Sequence, residues 1–581
     1  MHGNMGRMLR LFRPYKAQMT LALSLEVFAI ITRLIVPRLT KMVVNDVITE
    51  GQYDLLYTLC GLIALFAVTR ALSNYVRAMR FQHVSQNIIC GIRSDLYDHL
   101  QEMPWEFYDK NRVGEIMSRM TGDLNNVRNF LCNTTFSIFT NSVCFVGSFI
   151  FMMFMSPEVT LMVLVMAPII AIVALKFRRR IRPVFSEVRE LNAVLNTRTQ
   201  ENLAGMHIVK AFNREDYEMG LFEKDNRTLL DKNLEASWVW SSFMPFMDML
   251  SNLCTPITLA GGALMVYLGR MDIGTLVGVT GYIWMLTNPM RQVANIINAT
   301  AMALTGCEKV FYYMDLGSTI KEPEDAVSPD EFKGHVVFDH VTFAYGDSVA
   351  LRDICLEAKS GETIAVMGAT GSGKSTLINL LGRFYDIQSG RLLIDGIDVR
   401  KQKLKPLRQH IGFVPQESFL FSDTINDNIR YGRPEATLQQ VIDSAKAACA
   451  DEFIRETPQG YDTVVGERGL GLSGGQRQRA SIARAVLIQP SILVLDDSTS
   501  AVDMETEYEI QQNFKTVMKD RTTFIIAHRI SSVKNADQII VLKDGEIAER
   551  GKHRELMELG GIYAGMVRDQ MSSAVKVEGV A

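Results

Sequence analysis

The residues best placed to do chemistry form one short run, Gly368-Ala369-Thr370-Gly371-Ser372-Gly373-Lys374-Ser375-Thr376. It fits the spacing G-x-x-x-x-G-K-[ST], and Gly361–Met367 ahead of it reads as a buried strand, the context that this spacing requires. Glycines let backbone N–H groups wrap phosphate oxygens, and the following helix presents its positive end to them. Lys374 has the reach for β- and γ-phosphate oxygens, and the Ser375 hydroxyl can ligate Mg²⁺. Farther on, Ser491-Ile-Leu-Val-Leu-Asp496-Asp497 is an apolar strand ending in two acids, with Asp496 positioned to hold Mg²⁺ directly or through water. Between them lies Leu472-Ser473-Gly474-Gly475-Gln476, a glycine-rich turn before a helical stretch. The chemistry this set suits is transfer of a phosphoryl group, which rests on positioning and charge stabilisation rather than covalent catalysis.

These residues need a scaffold, and the chain supplies two kinds. From Gly334 onward, short β-branched runs alternate with helical stretches, the pattern of an α/β sheet. Before about residue 320 there are instead six apolar stretches. Their uncharged cores include Leu55–Thr69, Asn129–Pro157, Val159–Leu175, Met249–Gly269 and Ile273–Met290, while the first, Met19 to Val44, carries Glu26, Arg33 and Arg38. A helix needs about 20 residues to cross the hydrocarbon core, and the shorter runs reach that length once flanking polar residues snorkel. The expected division is 1–320 transmembrane, 321–335 linker, 336–575 nucleotide-binding and 576–581 tail.

Loop charges set an orientation. Arg7, Arg10, Arg13 and Lys16 precede the first span, and Lys176-Phe-Arg178-Arg179-Arg180-Ile-Arg182 follows the fourth, whereas Asn45–Asp54 is acidic without Lys or Arg. The positive-inside rule then puts both termini and the long segments 77–128 and 176–240 in the cytoplasm of a plasma (inner) membrane. The basic start leads into a span followed by five more, which reads as an uncleaved membrane segment. Each long segment reads as two helices running out and back; some 25 residues at 1.5 Å each reach about 35–40 Å.

Composition excludes several classes. Of 581 residues, 48% are apolar and 22% charged, so disorder and collagen-like repeats are ruled out. The 61 Lys and Arg against 64 Asp and Glu leave −3, which provides no basic field for nucleic acid. Eight cysteines without a CxxC pair argue against a disulfide framework or a zinc site.

Taken in order, these motifs resemble the ATP-binding cassette family, and the resemblance covers nearly the whole chain. The family's phosphate loop is similar to Gly368–Thr376, its glutamine loop to Val414-Pro415-Gln416, and its signature to Leu472–Gln476. Its acidic strand resembles the run ending at Asp496, and its switch histidine resembles His528 in Ile526-Ala527-His528-Arg529. Tyr345 in Phe343-Ala-Tyr345-Gly346 is similar to the aromatic that stacks on adenine. The resemblance implies ATP held by Tyr345, Gly368, Thr370–Thr376 and a partner's equivalents of Ser473–Gln476. It implies Mg²⁺ held by Ser375, Gln416 and Asp496, with Lys374, Gln416, Asp497 and His528 acting on the reaction. In the membrane half, Pro104–Asp109 with Gly114-Glu115…Ser118-Arg119…Asp123, and Glu201–Gly205 with Val209–Phe212 and Glu215, resemble the coupling segments of the six-helix exporter type.

One position departs from the family. A glutamate usually follows the metal-binding aspartate, and here Asp497 stands instead. The shorter side chain withdraws the carboxylate by about 1 Å, a misplacement that can cost ~10²-fold. The departure implies a slow site in one half of a heterodimer, the partner half-transporter supplying the glutamate. The alternatives are a homodimer with Asp497 as the working base, an importer of metallophores or nutrients on the same fold, or a regulator gated by ATP. The expected cargo is a small hydrophobic or amphipathic molecule: a drug, a lipid or a peptide. Glu26, Arg33, Asp248 and Arg291 are the charged residues within or near spans.

Overall fold

A computed structural model of the chain describes residues 6–8, 10–496, 518, 520–527 and 529–578. It divides into two compact units, Met1–Glu102 with Arg112–Leu316, and Met103–Asn111 with Gly317–Ala581.

The first unit is a helical bundle. Its six long helices are α1 (Lys16–Met42), α2 (Asp54–Gln101), α3 (Val113–Met155), α4 (Pro157–Ala204), α5 (Glu215–Tyr267) and α6 (Ile273–Asp315). Along α1 the buried positions Ala22, Glu26, Ala29, Ile30 and Leu34 recur at helical spacing, while Val27, Phe28 and Ile31 point out. In water such an outer face would be a large apolar patch. The most apolar window of α2 makes the point, with mean hydropathy 1.9 and only 6% of it buried. Lipid is the solvent that fits that surface. Among the described residues, four helices are long and apolar enough to cross a membrane alone: α2, α3, α5 and the segment Gly6–Thr49 that contains α1. A shorter apolar stretch, Pro157–Met166, opens α4. Helix α6 packs on α1, α3 and α5. Two acids of the helices have basic partners. Glu26, almost wholly buried, pairs with Arg77 at 3.2 Å and accepts from the Thr140 hydroxyl at 2.6 Å, and Asp248 pairs with Arg291 at 2.8 Å. The Arg33 guanidinium lies over the Trp284 ring.

The second unit holds ten strands: β1 (Val336–Tyr345), β2 (Ser348–Ala358), β3 (Thr363–Gly368), β4 (Ser389–Ile394), β5 (Ile397–Asp398), β6 (Ile411–Val414), β7 (Ile492–Asp496), β8 (Thr522–Ile526), β9 (Gln538–Lys543) and β10 (Glu546–Gly551). A four-stranded antiparallel sheet runs β2-β1-β4-β5, and a six-stranded sheet runs β10-β9-β3-β8-β7-β6, parallel except for β10. Every residue of β7 and β8 is buried, as a sheet covered on both faces demands. Side chains alternate between two cores. Ile364, Val366, Ile492, Val494, Phe524 and Ile526 face one; Ala365, Met367, Leu493, Leu495 and Ile525 face the other.

Candidate functional site

The site is built on the carboxyl ends of the parallel strands. The register puts Val366 level with Ile526 and Ile526 level with Asp496, while Val414 is level with Leu495. The chain therefore leaves the sheet at one edge in each case, toward Gly368–Thr376 from β3, Asp496 at the end of β7, and Gln416 just past β6. In open α/β sheets this edge is where ligands bind.

The loop after β3 needs its glycines. A Cβ at Gly368 (φ +145°) would lie 2.3 Å from the Leu542 carbonyl oxygen and 2.6 Å from Ser372 Oγ. Gly373 (φ +100°) caps α7 (Lys374–Leu381) in a left-handed conformation with no side-chain cap, so the first N–H groups of that helix remain for a ligand. Lys374, 7% exposed, folds back along the loop and donates to the carbonyls of Gly368 and Ala369, both at 2.9 Å. Ser372 Oγ is buried and finds no hydrogen-bond partner among the described residues. A cradle that excludes Cβ atoms, an uncapped helix start and an orphaned hydroxyl fit a chain of phosphates. Thr370, Gly371 and Ser375 are exposed, Thr376 is buried, and Asp496 is 7% exposed; a hydroxyl and a carboxylate are the oxygen donors that suit a hard cation. Gln416 is exposed. Tyr345 ends β1, and its hydroxyl lies 3.4 Å from Thr376 Oγ1, which brings its ring to the phosphate-loop helix. Asp497 and His528 lie outside the described residues.

The Ser473–Gln476 turn is elsewhere. Ser473 caps α8 (Gly474–Leu487): its Oγ accepts from the Gln476 N–H at 3.2 Å, and Gln476 Oε1 accepts from the Ser473 N–H at 2.8 Å, a capping box. Helix α8 contributes Ala480, Ile482, Ala483, Val486 and Leu487 to one core, whereas α7 contributes Leu377, Ile378, Leu380 and Leu381 to the other. The two motifs are therefore carried on opposite faces of one sheet.

The segment Pro104–Asp109, whose resemblance to a coupling segment implies a seat on a cassette, packs with the second unit as part of residues 103–111, although the long helices α2 and α3 flank it in the chain; which side chains receive it was not foreseen. Trp105, in the short helix Trp105–Lys110, stacks on Phe384 with centroids 4.0 Å apart and planes 3° from parallel. Phe413 on β6 meets both rings edge-on. Tyr385 donates its hydroxyl to the Asp109 carboxylate. The motif Phe384-Tyr385 carried no spacing signal, and only the fold shows what it meets. The second short helix, Met206–Ala211, belongs to the first unit, with Ile208 and Phe212 65% and 74% exposed.

A phosphate loop on a parallel sheet, continuous in one chain with a lipid-facing helical bundle, defines a membrane transporter driven by nucleotide hydrolysis. Residues 19–290 match the family described as ABC transporter transmembrane region, and residues 351–500 the family described as ABC transporter. The chain is 36% identical over 97% of its length to the "Putative multidrug export ATP-binding/permease protein YgaD" of Bacillus subtilis, covering 98% of that protein. It is 33% identical to the "ATP-dependent lipid A-core flippase" of Syntrophus aciditrophicus, covering 96% of this chain and 93% of that one. A solved bacterial Atm1-family ABC exporter with ATP bound superposes with a TM-score of 0.82 at 28% identity, over 95% of this chain and 99% of that one. The chain belongs to the ABC transporter family, as a half-transporter of the exporter type whose transmembrane region is fused to its cassette. It couples ATP hydrolysis to transport.

Proposed function

We propose that the chain exports a hydrophobic or amphipathic substrate by alternating access, as one half of a pair in which each ATP is held between two cassettes. The observation that carries this is the placement of phosphate loop and signature on opposite faces of one sheet. Pulling only Ile482, Val486 and Leu487 out of the core would cost roughly 5–9 kcal/mol at about 1.5–3 kcal/mol each. That rivals the whole stability of a domain, about 5–15 kcal/mol. That cost disfavours a swing of α8 to its own phosphate loop and supports Ser473–Gln476 serving a neighbour's. The exposed Ile208 and Phe212 of the second short helix suit a second cassette in the same way, just as 103–111 occupies this chain's own. In this reading 1–320 form the path, 336–575 bind ATP, and both termini are cytoplasmic, in a bacterial inner membrane.

Within the nucleotide site, Tyr345 stacks on adenine, residues 368 and 370–376 hold the phosphates, and Lys374 neutralises charge that develops on the transferred group. Ser375, Asp496 and Gln416 would hold Mg²⁺, which would supply positive charge to offset that of the phosphates. His528 and Asp497 complete the set, Asp497 taking the proton of the attacking water. The multidrug and lipid A names of the relatives support a drug or lipid as cargo.

The Asp497 departure favours a heterodimer whose partner brings a glutamate. The test is ATP turnover of the purified chain alone in lipid, with nucleotide binding measured alongside. Binding without turnover, and turnover raised at least 10-fold by Asp497→Glu, is the expected result. Steady turnover that Asp497→Asn abolishes would make the chain a working homodimer instead.

A further inference from the structure

The Tyr385 ring stands between two things of separate origin. On one side its hydroxyl donates to the carboxylate of Asp109, in the loop flanked by membrane helices α2 and α3. On the other its ring meets Tyr345 edge-on, with centroids 5.2 Å apart and planes at 87°, and leans on Phe343 at 5.5 Å. Tyr345 in turn reaches Thr376 Oγ1 on the phosphate-loop helix. The neighbouring Phe384 carries Trp105 from the same loop, and the Arg408 guanidinium lies 5.3 Å over the Phe384 ring. The loop is therefore held at two adjacent residues just past the end of α7, after Gly382 and Arg383. Burial, and then the Asp109 carboxylate, push the Tyr385 hydroxyl well above the usual phenol range, so it remains a donor at every physiological pH.

We infer that Tyr385 is a positioning residue that ties the adenine platform Tyr345 to the loop 103–111, so that nucleotide binding and loop placement share one side chain. This rests on the reading of Tyr345 as the ring that stacks on adenine. A base stacking on Tyr345 restricts that ring, the ring restricts Tyr385, and the Tyr385 hydroxyl holds Asp109. An edge-to-face aromatic pair contributes an energy equivalent to roughly 2- to 12-fold in a binding constant. The hydroxyl bond is separable from the ring contact, which makes the idea divisible by mutation.

The experiment uses the full chain in lipid nanodiscs and two readouts: affinity for a fluorescent ATP analogue, and amide exchange of residues 103–111 with and without ATP. In the wild type, ATP should slow exchange in that loop; no slowing there overturns the inference. Tyr385→Phe should keep affinity within about 2-fold and lose the ATP-dependent protection, since the ring stays and the hydroxyl goes. Asp109→Ala should do the same, and Asp109→Asn, whose amide oxygen still accepts, should restore protection. Tyr385→Ala should lose protection and also weaken affinity by roughly 2- to 12-fold. Protection retained in Tyr385→Phe, or Asp109→Asn behaving like Asp109→Ala, overturns the inference. Tyr345→Ala separates the two readings. Unchanged affinity there removes the adenine platform and the inference with it, whereas weakened affinity combined with intact protection in Tyr385→Phe removes the tie alone.

Discussion

Two helices of the cassette begin with serine and glycine, and they begin differently. Helix α7 starts from Gly373 in a left-handed conformation with no side-chain cap, and Ser372 beside it keeps a buried, unpartnered hydroxyl among the described residues. Helix α8 starts from Ser473, which with Gln476 closes a capping box on its own first turn. The first end is left open by its own chain, and a phosphate chain can take the donors. The second is already stable without a ligand and has Ser473 exposed to solvent. The contrast is that the phosphate loop leaves its donors for what it binds, whereas the signature turn satisfies its own and faces solvent, as the proposed pairing requires.

The sharpest way to break that contrast is at the open end. Lys374→Ala should weaken ATP binding to the purified chain at least ~10-fold, read with a fluorescent ATP analogue, because nothing else in the loop supplies a positive charge. Should affinity fall less than about 2-fold, Lys374 is not a charge that holds the phosphates. At the closed end, capping and nucleotide contact can be pulled apart. Ser473→Ala should cost about 1 kcal/mol of cassette stability, whereas Ser473→Asp still caps the helix and should melt within a degree or two of wild type. Both should lower turnover at least 10-fold, the aspartate through repulsion of phosphate. An active Ser473→Asp variant would mean that the turn only caps.

Gly373→Ala tests whether the open end is a matter of backbone. Its Cβ would lie 2.7 Å from the Ala350 carbonyl oxygen at a φ of +100°, so a loss of about 1–3 kcal/mol is expected in chemical denaturation, together with weaker ATP binding. The smallest effect lies away from both helix ends. His340 on β1 donates to Asp353 at 2.6 Å, and this bond, with the attraction of the same carboxylate, raises the imidazolium pKa in the folded state. Its contribution is full below the ordinary histidine value and fades as pH rises through the raised one. Melting temperature should therefore decline slightly from pH 6 to 8, and His340→Gln should flatten that slope without changing ATP affinity.

The phosphate loop and Asp496 were legible because each depends on local chemistry: a glycine where φ is positive, an acid at a strand end. The membrane bundle was legible in the same way, since a lipid-facing helix needs a continuous apolar run whatever its neighbours. The aromatic bed of Phe384, Tyr385 and Phe413 was not. Those rings lie on either side of a strand crossover and read as ordinary core until the 103–111 loop is seen against them.

By itself, the sequence determined the solvent of each half and the local form of the loop after β3, because burial pattern and backbone conformation are set within a few residues. Only the tertiary structure decided that α7 and α8 occupy opposite faces of one sheet and which rings of the cassette receive residues 103–111. The reason is physical. The side of a sheet on which a helix packs follows from the direction of its crossover and from the alternate side chains of several strands, and those strands are separated by up to 180 residues of chain.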